Sequence, residues 1–91
     1  QGSVYLVIDE PRDESISDRR LIQIRGRTNP ENLVIVSTNQ EDAVVATTTD
    51  GKFSVSVTID AGSNKIVTRA IADGGEEAID ARIVTFSTEE F

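Results

Sequence analysis

The side chains able to do chemistry in this chain are carboxylates. Sixteen Asp and Glu residues stand against nine Lys and Arg, and neither His nor Cys occurs. Without an imidazole or a thiol, Ser-His-Asp and Cys-His nucleophile pairs, His-metal sites and thiolate zinc sites are all excluded. Paired carboxylates serve glycoside hydrolysis where they flank a cleft. The acids here fall in the loops of a short chain with little room for one, so no catalytic residue is nominated and the chain reads as non-catalytic. Calcium is the chemistry that remains, because hard cations collect carboxylate and carbonyl oxygens and loops at one end of a sheet structure can converge. Asp73, Glu76 and Glu77 form one candidate cluster, placed to meet the turn at 29–32; Asp9, Glu10 and Asp13 form another, at what would be a junction with a preceding domain. Neither shows the Asp-x-Asp-x-Asp-Gly spacing of a dedicated loop. The competing reading of both is a solvated acidic surface that keeps the domain soluble.

The remaining polar candidates are basic and aromatic. Arg19, Arg20, Arg25 and Arg27 concentrate the positive charge of a chain whose net charge is -7. Outward-facing Arg25 and Arg27 beside Ser54, Ser56 and Thr58 would make a patch able to dock an acidic partner. Pairing with surface acids across strands is the competing outcome. Sugar-binding sandwiches use exposed aromatic platforms, and the aromatics are Tyr5, Phe53, Phe86 and Phe91, with no Trp. The acidic balance opposes nucleic acid and anionic membranes, both of which need clustered cations.

These residues must be positioned by strands. From Phe53 to Ile59 the apolar residues Phe53, Val55, Val57 and Ile59 alternate with Ser54, Ser56 and Thr58, so one face of this strand lies on a core and the other meets water. Six further strands are predicted. They are Val4 to Ile8, ended by Pro11; Arg19 to Gly26, with Ile22 and Ile24 inward; Leu33 to Val36, with Val34 and Val36 buried; Ala43 to Thr49; Asn64 to Ala72; and Ala78 to Phe86. Between the first two lies a polar loop with Ile16 as its single anchor. The turn at 28–32 carries Pro30, and Asp50-Gly51 is the two-residue signal that joins Ala43 to Thr49 and the Phe53 strand as a hairpin. In the last strand, charge placement favours Ile79, Ala81 and Ile83 as the inward face. Val84 and Phe86 are then exposed apolar residues at the chain's end, suited to packing against another domain. About seven strands without helical periodicity call for an all-β, antiparallel two-sheet sandwich, with a small barrel as the alternative. Ninety-one residues make one domain, 1–91, in which Gln1-Gly2-Ser3 reads as a processed or engineered start.

One spacing is familiar: Ile24-x-Gly26-x-Thr28-x-Pro30-x-x-x-Val34-x-Val36, then Asp50-Gly51-x-Phe53, Gly62-x-Asn64-x-Ile66-x-Thr68-x-Ala70 and Asp73-Gly74. It resembles the bacterial Ig-like modules of secreted and cell-surface proteins, and is similar to the Ig-like accessory domain of glucodextranase. The resemblance implies an immunoglobulin-like β-sandwich, an extracellular or cell-surface setting, and a structural or interaction role as a rigid spacer or adhesive domain. The alternative it implies is an accessory module that binds glycan or calcium. Partners would be neighbouring domains of the same parent chain or another surface protein, with the isolated domain a monomer. No direct membrane insertion and no cofactor other than calcium is expected. The matching residues also have physical roles in folding. Gly26 permits close approach, Asn64 caps the turn after Gly62, and Thr68 departs from the aliphatic residue such modules carry there.

Overall fold

The computed structural model describes residues 4–88; Gln1-Gly2-Ser3 and Phe91 lie outside them. Eight strands form: β1 (Leu6–Glu10), β2 (Ser15–Ser17), β3 (Leu21–Thr28), β4 (Leu33–Ser37), β5 (Asp42–Ala46), β6 (Lys52–Thr58), β7 (Gly62–Ile71) and β8 (Glu77–Phe86). They make a three-stranded sheet in the order β1-β3-β6 and a five-stranded sheet in the order β2-β8-β7-β4-β5. This is an immunoglobulin-like sandwich, in which the first strand is divided between the two sheets. β1 runs antiparallel to β3, and after Pro11 the chain changes sheet so that β2 runs parallel to β8.

The alternation read in β6 holds. Phe53, Val57 and Ile59 are buried, Val55 is partly covered, and Ser54 and Ser56 are exposed. Ile8 from β1 and Ile24 from β3 lie beside them in the same sheet, and Val34 and Val36 from β4, Ile66 and Ala70 from β7 and Val84 from β8 face them to complete a single core. β7 is the strand whose inward row is only partly apolar, for Asn64 and Thr68 are buried in line with Ile66 and Ala70. Gly26 is needed because Phe53 and β1 close over it: a Cβ there would lie 2.3 Å from the carbonyl oxygen of Val7 and 2.8 Å from Phe53 Cζ.

Three expectations are corrected. Asp50-Gly51 does not close a hairpin. β5 pairs with β4 and β6 with β3, so this turn carries the chain from one sheet to the other. The local hydrogen bonds are those of a tight turn, with Gly51 N–H donating to Thr48 C=O and Thr48 N–H to Lys52 C=O. Ile16 does not anchor its loop: it stands 65 % exposed on the short β2. In β8 the inward face is the opposite of the one expected. Val84 is 1 % exposed and Phe86 packs against the core, while Ile79 is 58 % exposed. The cause is an ion pair on the inward row, where Arg82 Nε donates to Asp80 Oδ1 at 2.9 Å and Arg82 Nη1 donates to Pro11 C=O at 3.1 Å. Two opposite charges two residues apart on a strand share one face, and here they satisfy each other at the margin of the core.

Candidate functional site

Among the described residues three of the four buried polar side chains, Thr28, Asn32 and Asn64, lie at the two ends of the sandwich, and their bonds show what each is for; the fourth, Thr68, lies in the middle of β7. At one end Thr28, fully buried, donates its hydroxyl to Tyr5 C=O at 2.7 Å and accepts from Asn32 Nδ2 at 3.1 Å. Its own N–H donates to Gly51 C=O at 2.8 Å. Tyr5 N–H donates to Asn29 Oδ1, and the Thr47 hydroxyl donates to Asn32 C=O. The approach to β1, the β3–β4 turn and the β5–β6 connection are thereby tied together.

At the other end the knot is Asn64, also fully buried. Its Oδ1 accepts from Asp60 N–H at 2.8 Å, and its Nδ2 donates to the carbonyls of Asp60 at 2.8 Å, Gly62 at 3.0 Å and Val84 at 3.2 Å. This is the cap expected after Gly62, extended to β8. Nearby, Glu41 reaches from the β4–β5 turn to accept Thr58 N–H at 2.9 Å. Among the described residues no buried side-chain nitrogen or oxygen lacks a partner. Buried polar groups bonded in this way fix turns.

The predicted acidic residues are spread over both margins. Pairing of Leu33 with Ile71 puts the β3–β4 turn and the β7–β8 turn, with Asp73, Glu76 and Glu77, at the same end of the sandwich. No three acidic residues come together there or elsewhere among the described residues as a metal-holding group. Asp9 binds Arg27 at 3.1 Å, Glu10 faces Arg25 at 3.6 Å, and Asp13 Oδ1 accepts Ile83 N–H at 2.9 Å. Asp9, Glu10 and Asp13 are thus each committed to a separate partner.

Arg25 and Arg27 lie on the outer face of the three-stranded sheet, and Arg25 is in register with Ser54. With Lys52, Thr48 and Asp9 they line a shallow hollow of about 540 Å³. Each cation there has an acid beside it, including Lys52 with Asp50 at 3.8 Å. Asp50 itself is held below its ordinary value of 3.8, first by the hydrogen bond from the Thr48 hydroxyl. A second groove, of about 600 Å³, opens where β1 ends, between β2 and the edge of β3, with Ile16, Leu21 and Ile22 in its wall. Of the aromatic candidates, Tyr5 is 46 % exposed, whereas Phe86 packs on the core with the Arg20 guanidinium 6.0 Å above its ring. Val84 and Phe86 accordingly offer no free docking surface.

The surface that sequence reasoning missed is the outer face of the five-stranded sheet. Leu33, Val44 and Ile79 stand on it at 43, 62 and 58 % exposure, with Ile35, Val67 and Ile71 between them in register. The signal was present in the unbroken apolar runs Leu33 to Val36 and Ala43 to Ala46. A strand apolar on both faces needs cover on both.

Residues 5–88, which span all eight strands, match the family model of glucodextranase, domain B. A search of the curated proteins returned no match.

Proposed function

From the chain's place in the glucodextranase domain B family, to which it belongs, we propose that it is a non-catalytic accessory module. It holds its neighbours in a larger secreted or cell-surface protein at a fixed spacing. The observation that carries this reading is the commitment of the buried polar side chains. Thr28, Asn32 and Asn64 bond the turns and strand ends to one another, and the match extends over this whole scaffold. A module whose polar groups hold its own ends rigid transmits position between whatever flanks it. Fold and family leave chemistry open, so the test is direct. The isolated domain is incubated with a panel of α- and β-linked glucans, and its thermal midpoint is recorded with calcium and with the same glycans. Unchanged substrates and an unchanged midpoint are the expected results. Hydrolysis abolished by one Asp or Glu substitution would overturn the proposal in favour of an enzyme. A saturable rise in midpoint would overturn it in favour of a calcium- or glycan-binding module.

A further inference from the structure

The chain contains two Asp-Gly pairs, Asp50-Gly51 and Asp73-Gly74. Both lie in the same kind of three-residue loop, a tight turn followed by a glycine at positive φ. In the first loop Thr48 N–H donates to Lys52 C=O and Gly51 N–H to Thr48 C=O, and Gly51 has a φ of 85°. In the second, which joins β7 to β8, Ala72 N–H donates to Glu76 C=O and Gly75 N–H to Ala72 C=O, and Gly75 has a φ of 95°. The Asp-Gly pair is thus displaced by one residue between them. Gly51 is the positive-φ residue of its loop, whereas Gly74 stands one place earlier.

That offset decides which peptide group is free. The N–H of Gly51 is the donor that closes its turn, at 3.0 Å, and its C=O accepts Thr28 N–H at 2.8 Å. Gly51 is buried, and the Asp50 carboxylate is taken by the Thr48 hydroxyl and by Lys52 Nζ at 3.8 Å. In the other loop neither turn bond uses the N–H of Gly74 or the C=O of Asp73. Among the described residues, Gly74 N–H and the Asp73 carboxylate have no hydrogen-bond partner. Residues 73–77 are all exposed.

We propose that Asp73 is a site of spontaneous isomerisation to isoaspartate. The amide nitrogen of Gly74 attacks Cγ of the protonated Asp73 carboxyl. The N–Cγ bond forms, and the carboxyl hydroxyl leaves with the amide proton as water, closing a five-membered succinimide. Water then reopens the ring. Addition at Cγ breaks the new bond and restores Asp73, whereas addition at the main-chain carbonyl carbon breaks the original peptide bond and leaves the chain running through Cβ and Cγ. The mass is unchanged over the two steps. Attack between adjacent groups is favoured by proximity, and Gly74 has no Cβ to hinder its nitrogen. The product carries one more main-chain atom inside the turn that Gly75 N–H and Ala72 C=O now close.

The test is incubation of the folded domain at physiological temperature and neutral pH for several weeks, followed by tryptic mapping. Peptides 70–82 and 28–52 carry the two sites. An isoaspartyl form separates from its parent at equal mass, and electron-transfer fragmentation places the change at Asp73 rather than Asp80. Isoaspartate should accumulate at Asp73 at least about tenfold faster than at Asp50, which must first lose a turn hydrogen bond and its packing. In synthetic peptides of the same two sequences the rates should converge, because the turns are absent. Gly74→Ala should suppress the reaction at Asp73 and leave Asp50 unchanged. Its methyl meets the Glu76 carboxylate at 2.7 Å, the end of a flexible side chain that can move aside, and a thermal melt verifies that the fold is kept. Equal rates at the two positions in the folded domain, or an Asp73 that stays intact, overturn the proposal. A difference that persists in the peptides overturns it as well, by tracing the reactivity to sequence alone.

Discussion

Asn64 offers the sharpest test of how the sandwich is held, because one amide serves four backbone groups. Its Oδ1 takes the N–H of Asp60, and its Nδ2 is directed at three carbonyls, of Asp60, Gly62 and Val84, all within 3.2 Å. Replacing it with Ala strands these groups. Those of Asp60 and Gly62 border a turn that water can enter, whereas Val84 belongs to the core, at 1 % exposure. At about 1–3 kcal/mol for each buried group left unpaired, the loss is about 3–5 kcal/mol. For a domain of this size that lowers the melting midpoint on the order of 20 °C. Asn64→Asp is nearly isosteric and should be worse at neutral pH, for it turns a carboxylate toward three carbonyl oxygens. Burial and those carbonyls raise the folded-state pKa of the new carboxyl above its unfolded value. The ionisation part of the penalty is therefore absent below the unfolded value and grows as pH rises from it, until the carboxyl ionises in the folded state as well. Calorimetric melts of wild type, Asn64→Ala and Asn64→Asp at pH 4 and pH 7 check both points. If Asn64→Asp matched the wild type at pH 7, the amide would not be holding the turn to β8, and the reasoning would fail.

Three further outcomes follow from the same structure. Phe53→Ala should cost about 3–5 kcal/mol, as for other large-to-small changes in a core, and chemical denaturation should find the variant largely unfolded in water. Gly26→Ala drives a methyl into the Val7 carbonyl and the Phe53 ring; β1 must shift, with a loss of about 1–3 kcal/mol seen as a lower urea midpoint and faster hydrogen exchange across β1 and β3. Asp50 has a lowered carboxyl pKa, so its contribution to stability is present above the unfolded value and lost as pH falls through the folded one. Thr48→Val should bring the Asp50 titration, followed by carboxyl carbon NMR, up toward 3.8; no movement would remove the Thr48 hydroxyl as the cause.

How far the sequence could be read depended on whether a signal was local. Period-two alternation in β6 is set by the residues themselves, and it identified Phe53 and Val57 as buried. The turn chemistry at Gly62 and Asn64 was equally plain. Asp50-Gly51 misled because a tight turn has the same residue types whether the strands on either side share a sheet or face each other across a core. Only the pairing of β6 with β3 distinguishes the two. The inversion of β8 arose because Asp80 and Arg82 were weighed as separate charges that must seek water. On one face they form a pair, each replacing part of the other's hydration. The outer surface of the five-stranded sheet was hidden for a related reason: an apolar residue such as Val44 or Ile79 reads as core until the parity of its strand is known.

The division of the first strand between the sheets bears on how such a module carries load. β2 and β8 lie side by side and parallel, joined along Ser15 to Ser17 and Val84 to Phe86, close to the two ends of the described chain. Tension applied to those ends pulls parallel neighbours in opposite directions along their length. Their hydrogen bonds must then break together in shear, whereas antiparallel strands joined at a hairpin are unzipped one bond at a time. At the β2–β8 contact a domain wired in this way should resist stretching, a mechanical strength that its melting temperature alone does not measure.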